Sequence, residues 1–102
     1  MQISKLQMNK EKSNKDIHER IYNFVIRAIK LTKKLKPTPQ NLVVITQLIK
    51  SATSMGANDQ EADGAESRRD FIAKYAIVKN ENKETNYWFR IISDTNPELE
   101  LE

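Results

Sequence analysis

The stretch "NDQEADGAESRRD", residues 58–70, connects two long segments with the apolar spacing of helices, so its conformation determines how those two helices are arranged. Its acidic residues also fall on a spacing that resembles a twelve-residue calcium-binding loop. Five residues match the first, third, fifth, sixth and twelfth positions of such a loop: Asp59, Glu61, Asp63, Gly64 and Asp70. The stretch therefore leaves two interpretations, a metal site and a corner between two helices.

The calcium interpretation accounts poorly for the details of this stretch. A calcium loop takes Asp or Asn at its third position and a bidentate Glu at its twelfth, where this chain has Glu61 and Asp70. The eighth position, normally an apolar residue that pairs with a second loop, is Glu66, and the sequence contains no second loop. A calcium-binding loop is kept only as an alternative, and we predict no metal ligands.

A helix corner explains more of the same residues. Gly64 can take the left-handed conformation that ends a helix, and Ser67 can accept a hydrogen bond as the N-cap of the next one. Asp70 then takes the third position of a capping box, near the positive end of the helix dipole. We predict that Gly64, Ser67 and Asp70 are structural turn and cap residues.

Upstream of the corner, the sequence predicts two helices joined at a proline-rich break. The first begins near Asp16 and carries apolar residues at alternating spacings of four and three: Ile17, Ile21, Phe24, Ala28, Leu31 and Leu35. It stops at "KPTP", residues 36–39, because a proline disfavours helical geometry in the residue before it. Thr38 can then cap a second helix that runs from Pro39 to about Asn58.

The third helix, from about Arg68 to Thr95, has two stripes that are apolar at the ends and polar in the middle. One of them begins at Phe71, and the polar middle predicts a hydrogen-bonded layer that fixes the register between packed helices. A paired-carboxylate site at Glu81 and Glu84 is the alternative, but a di-metal bundle needs Glu-x-x-His motifs. The single histidine, His18, lacks that spacing, so we expect it to face solvent.

Length and composition place these helices in one all-α domain. The chain has 102 residues, two glycines, three prolines and no cysteine, which suits a single helical core and excludes disulfides and zinc–thiolate sites. Residues 1–15 are polar and lysine-rich and are predicted to be a flexible tail, so the helical-bundle domain covers residues 16–102. Because no signal peptide or membrane-spanning run is evident, we expect a cytoplasmic protein with no membrane partner.

Three segments resemble the small "four helix bundle protein" family, also known as the 23S ribosomal RNA intervening-sequence proteins. They are "QLIKSATSMGAN" (residues 47–58), "EADGAESRRDFIAK" (residues 61–74) and "ETNYWFRII" (residues 84–92). The resemblance covers residues 16–96 and implies an up-and-down antiparallel bundle, with the acidic corner between its second and third helices. The family continues into a fourth helix after the Asn-Pro at residues 96–97, so we expect three long helices with the fourth truncated or missing.

The resemblance also implies self-association into a ring, which is a homopentamer in known relatives. A ring requires heterologous contacts, in which one patch meets a different patch on the next subunit. Residues 42–45 of the second helix are four consecutive apolar residues, which need cover on more than one side and supply surface for such contacts. Related ring-forming proteins of diversity-generating retroelements are linked to binding of nucleic acid and reverse transcriptase. We therefore expect a homo-oligomer.

Charge is distributed unevenly along the chain, which suits either a polyanionic partner or head-to-tail self-association. Through Lys36 there are ten basic and three acidic residues, whereas the remainder has seven basic and eleven acidic residues. Five cations form a candidate basic face on the first helix: Arg20, Arg27 and Lys34 recur every seven residues on the side away from the apolar stripe, and Lys30 and Lys33 lie nearby. This face predicts phosphate-driven binding of RNA, DNA or a nucleoprotein. The alternative is a scaffolding ring that binds another protein, with these cations as ordinary solvated charges.

Catalysis is not expected from these residues. The sequence has no cysteine, a single histidine and no glycine-rich phosphate loop, so it offers no activated nucleophile and no evident acid–base pair. We therefore predict no enzyme activity, no catalytic residue, no cofactor and no small-molecule substrate.

Overall fold

The fold consists of three helices in the part of the chain that the computed structural model describes, which is the backbone of residues 5–99 and the side chains of residues 16–99. The helices are α1 (Lys5–Thr32), α2 (Pro39–Asp63) and α3 (Arg68–Thr95). Because short connections join them and α2 packs against both α1 and α3, neighbouring helices run antiparallel. The predicted all-α fold is confirmed. Within the described range, no helix combines the length and the apolar character needed to cross a membrane.

The first helix begins earlier than the sequence predicted. Its backbone is already helical at Lys5, whereas the apolar pattern placed its start near Asp16. The intervening segment is rich in lysine and contains no glycine or proline, so its residues favour the extension of α1. Of the predicted polar tail, residues 1–4 lie outside the described residues.

The connection between α1 and α2 confirms the predicted cap. After α1 ends, the N–H groups of residues 33–35 donate to carbonyls three residues back, which tightens the chain into a 3₁₀-like turn. Thr38 is the N-cap of α2: its hydroxyl accepts a hydrogen bond from the N–H of Asn41 at 3.1 Å. Pro39 occupies the first turn, where its missing N–H has no partner to lose.

The corner between α2 and α3 is closed by a tight turn rather than by a left-handed glycine. Gly64 has φ −97° and ψ 13°, so the prediction of a left-handed conformation is wrong. The N–H of Ala65 donates to the carbonyl of Ala62 at 3.1 Å. This bond satisfies one of the last carbonyls of α2, so the chain turns without a positive φ.

Ser67 is the N-cap of α3, as predicted. Its hydroxyl accepts a hydrogen bond from the N–H of Asp70 at 3.1 Å. Asp70 lies in the first turn, where a negative charge is favoured by the helix dipole. Among the described contacts, its carboxylate returns no bond to Ser67, so only half of the predicted capping box forms.

The apolar core joins α2, α3 and the end of α1. Leu35, Leu48 and Ile92 are buried at its centre, and partly buried apolar side chains pack against them: Val44, Ile45, Trp88, Phe89 and Leu99. The ring of Phe24 on α1 meets that of Phe89 on α3 edge to face, with centroids 5.6 Å apart. This aromatic contact links the two outer helices to each other.

Polar pairs connect α2 and α3 inside this core. Thr85, in the polar middle of α3, is fully buried, and its hydroxyl lies 2.8 Å from that of Ser51. At the C-terminal end of α3, the side-chain amides of Asn41 and Asn96 form a reciprocal pair, with N–O distances of 3.2 and 3.4 Å. The predicted polar layer is therefore present at Thr85, whereas Glu84 is exposed and lies outside it.

Several apolar side chains that the sequence placed against a core are exposed. Ile17 and Phe71, both predicted stripe positions, are 42% and 45% exposed, and those two assignments are wrong. Leu42 and Val43, which the sequence expected to need cover, are 50% and 64% exposed. These side chains are exposed because the three described helices cover only part of one another, and in the described range no further element packs on the remaining faces.

Candidate functional site

All five cations of the candidate basic face are exposed: Arg20, Arg27, Lys30, Lys33 and Lys34. Arg20 and Arg27 lie seven residues apart on α1 and therefore share a helix face. Lys34 was expected to continue that repeat, but α1 ends before it and the 3₁₀-like turn takes it off helical spacing. The cations thus follow α1 and wrap into the turn after it, instead of forming one straight row.

An open groove of about 520 Å³ lies beside the basic face. It runs between α1 and α3, and its lining combines apolar, amide and guanidinium side chains: Ile17, Arg20, Ile21, Asn23, Phe24, Arg27, Met55 and Asn82. Met55 is almost fully buried, which places it at the floor on α2. The groove therefore offers an apolar surface next to two arginines.

A second polar cluster, here called the three-helix junction, consists of His18, Asp59, Asp63 and Tyr75. Asp59 on α2 is 0% exposed. Nδ1 of His18 on α1 lies 2.8 Å from Oδ2 of Asp59, and the hydroxyl of Tyr75 on α3 donates to Oδ1 at 3.2 Å. Nε2 of His18 lies 3.2 Å from Oδ1 of Asp63, one turn further along α2. One buried carboxylate thus connects all three helices.

The three-helix junction raises the pKa of two of its members, His18 and Tyr75. The hydrogen bond to Asp59 raises the pKa of His18 above its usual 6.5, and the negative charges of Asp59 and Asp63 add to the effect while burial opposes it. Burial raises the pKa of the Tyr75 hydroxyl above 10, and the charge of Asp59 raises it further. The environment therefore favours an imidazolium at His18 and a neutral phenol at Tyr75.

The prediction that His18 faces solvent is wrong, since its side chain is only 19% exposed. The sequence held a signal for this contact. His18 shares alternating spacings of three and four with buried or half-buried residues of α1 and the turn after it: Ile21, Val25, Ala28, Thr32 and Leu35. Asp59 likewise continues the buried stripe of α2: Leu48, Ala52, Met55 and Ala62. An acid and a histidine on two inward stripes predict a polar pair inside the bundle.

The acidic residues of the former calcium pattern do not converge on one point. Asp59 and Asp63 lie within α2 and bond to His18, whereas the carboxylate of Glu61 pairs with Nζ of Lys74 at 2.6 Å. A calcium loop needs an extended chain that aims its oxygens at one ion, and a helix cannot supply that geometry. Among the described residues, no group of three potential ligands could hold a metal ion.

Comparison with known proteins identifies the family. The family model described as "23S rRNA-intervening sequence protein" matches residues 13–97. The chain belongs to this family. Its fold is also similar to the crystal structure of a protein of unknown function from the S23 ribosomal protein family of Bacteroides thetaiotaomicron VPI-5482. That similarity has a TM-score of 0.73 and 35% sequence identity, covering 80% of this chain and 73% of the other.

The comparison with curated proteins found no match. The match to the 23S rRNA-intervening sequence protein family nevertheless contains both polar features described above, the basic face and the three-helix junction. The family assignment predicted from the three sequence segments is therefore confirmed, and it applies to nearly the whole of the described structure.

Proposed function

We propose that this 23S rRNA-intervening sequence protein is a non-catalytic helical-bundle module that binds RNA, or a nucleoprotein partner, through the basic face of α1. The observation that carries the proposal is the exposure of all five predicted cations on one helix and the turn after it. An exposed cation keeps its hydration and can exchange a counterion for a phosphate, which is the main source of affinity for nucleic acid. The family description, which refers to rRNA, favours RNA as the polyanion.

The chemistry of the face predicts binding with little sequence preference. Lysine contacts a phosphate as a point charge, and arginine can contact it with two parallel bonds. Direct recognition of RNA bases relies on stacked aromatic rings. Among the described residues of α1, Phe24 is engaged with Phe89 across the bundle, and Tyr22, which is 61% exposed, is the one ring left for stacking. Affinity from phosphate contacts alone should fall steeply as salt rises.

The non-catalytic part of the proposal rests on how the three-helix junction uses its groups. A His–Asp pair can activate a nucleophile when one imidazole nitrogen is free to face the substrate. Here both nitrogens of His18 lie next to carboxylate oxygens, at 2.8 and 3.2 Å. The carboxylate of Asp59 is enclosed as well. The junction is therefore suited to holding helices together.

We further propose that the three helices belong to a four-helix bundle that assembles into a ring, a homopentamer as the family resemblance implies. A fourth helix would rest on the apolar side chains of the groove between α1 and α3, which lie on the stripes that face a bundle interior. It would leave uncovered the three lysines of the basic face, which do not line the groove: Lys30, Lys33 and Lys34. Leu42 and Val43, half or more exposed at the start of α2, supply one of the two unlike patches that ring contacts require. Light scattering of the purified protein should give a mass of several chains.

Filter binding to a structured RNA across a salt series tests the nucleic-acid proposal. We expect binding at about 50 mM salt, and the logarithm of the affinity should fall linearly with the logarithm of the salt concentration. Failure to bind at low salt, or binding that is indifferent to salt, contradicts it.

A protein partner is the second candidate, and the exposed apolar side chains of α2 and α3 favour it. Capture of partners with and without nuclease treatment separates the two. A partner lost on nuclease treatment supports RNA, and one that is retained supports a scaffold.

A further inference from the structure

The middle of α1 is attached to α2 by a side chain with two carboxylate partners. His18 lies between Asp59 and Asp63, which are four residues apart and therefore stacked on one face of α2. Asp59 is wholly enclosed, so its oxygens have no water to replace a lost partner. Among the described contacts of α1, the ring of Phe24 meets that of Phe89 nearer its C-terminal end.

The number of protons on His18 determines whether both contacts are favourable. A neutral imidazole has one N–H donor and one acceptor nitrogen, whereas an imidazolium has two donors. A carboxylate only accepts. Because each nitrogen of His18 lies within 3.2 Å of a carboxylate oxygen, the imidazolium satisfies both contacts, whereas the neutral ring sets an acceptor against an acceptor.

We propose that His18 is a proton-dependent clamp, whose doubly protonated ring holds the middle of α1 on α2 and whose deprotonation loosens that segment. The clamp stands apart from the proposed RNA binding, because it rests on contacts inside the bundle. The groups that face it are Asp59 and Asp63 from α2, with Tyr75 of α3 joined through Asp59. The nearby pair of Lys74 and Glu61 joins α3 to α2 and leaves α1 untouched.

The direction of the pH effect follows from the same contacts. The carboxylates raise the pKa of His18 in the folded protein above the 6.5 of an unfolded chain. A raised pKa means that the folded state holds the proton more tightly. The stabilisation is therefore complete below about pH 6.5 and is lost as pH rises through the folded pKa. The clamp is closed below about pH 6.5 and opens as pH rises through the raised pKa of His18.

The test uses the fact that His18 is the single histidine of the chain. An NMR titration of its ring protons should give a pKa above 6.5 in the wild type. Asp63→Asn removes one partner at a position that is largely exposed, 66%, so the variant should fold. Its His18 pKa should be lower than in the wild type. A wild-type pKa at or below 6.5, or the same value in the two proteins, overturns the proposal.

Amide hydrogen exchange locates the effect on α1. The wild type and His18→Gln are compared at equal pH, so that intrinsic exchange rates cancel in the ratio. Near pH 6 the amides of residues 18–25 should exchange more slowly in the wild type than in His18→Gln. The ratio of the two exchange rates should approach about tenfold for each unit by which the folded protein raises the pKa of His18. This ratio should shrink towards pH 9, while ratios in α3 stay flat. A ratio independent of pH, or one that changes equally in α3, contradicts the clamp.

Discussion

Nδ1 of His18 lies 2.8 Å from Oδ2 of Asp59, across 41 positions of sequence. The contact places a cation beside a carboxylate that has no access to solvent. Taking such a carboxylate out of water is unfavourable unless its oxygens are bonded, so the pair and the Tyr75 hydroxyl together make a buried charge tolerable. The three-helix junction is thus a condition for α1, α2 and α3 to meet at this end.

Removing His18 should destabilise the protein more than an average surface change. In His18→Ala, Asp59 keeps only the Tyr75 hydroxyl, and we expect the free energy of unfolding at pH 6 to fall by about 1–3 kcal/mol. Urea denaturation measures this loss. Glu19→Ala, one residue away and exposed, is the matched control and should stay within about 0.5 kcal/mol of the wild type. Equal effects of the two substitutions would show that the junction is energetically unimportant.

Gly64→Ala should be tolerated, although the sequence pattern suggested that glycine was required there. The backbone has a negative φ at this position, and a Cβ would meet no atom closer than the Glu61 carbonyl oxygen at 4.0 Å. Alanine reduces the freedom of the unfolded chain, so we expect a gain of about 0.4–1 kcal/mol in the free energy of unfolding. Thermal denaturation checks this. A loss of stability would indicate that Gly64 takes a left-handed conformation in solution.

Gly56→Ala should behave differently, because a helix crosses close by. A Cβ at Gly56 would lie 3.1 Å from Cγ2 of Val25, which is tighter than an ordinary contact. Alanine gains about 0.5–1 kcal/mol of helix propensity, and crowding against Val25 should cancel that gain. In a Val25→Ala background the crowding disappears and the gain should return. A double-mutant cycle by urea denaturation measures the coupling, and additive effects would contradict the close approach of α1 and α2.

The sequence was sufficient to predict features that depend on neighbouring residues. Thr38 and Ser67 cap their helices as expected, because a cap needs only a hydroxyl and an N–H three residues later. The sequence also predicted a polar layer in the middle of α3, and the buried Thr85 lies in it. Local chemistry and helical spacing fix these features before any tertiary contact forms.

The features that could not be predicted from the sequence depend on which residues of different helices contact one another. A stripe shows that His18 faces inward, but not that Asp59 is opposite, because that depends on where α1 sits along α2. Ile17 and Phe71 have core spacing yet remain exposed, because spacing shows which face is apolar and not whether anything covers it. The conformation of Gly64 depended on the turn hydrogen bond that formed instead.

Two variants that each lose three positive charges test whether RNA binds to the basic face of α1. One replaces Lys30, Lys33 and Lys34 with Gln, and the control replaces three exposed cations of α3: Lys79, Lys83 and Arg90. The measurement is the slope of log affinity against log salt for one structured RNA. We predict that the first variant lowers the slope by about 2, at about 0.7 for each lost phosphate contact, while the control keeps the wild-type slope. Equal slopes for the two variants would contradict the assignment of the binding face.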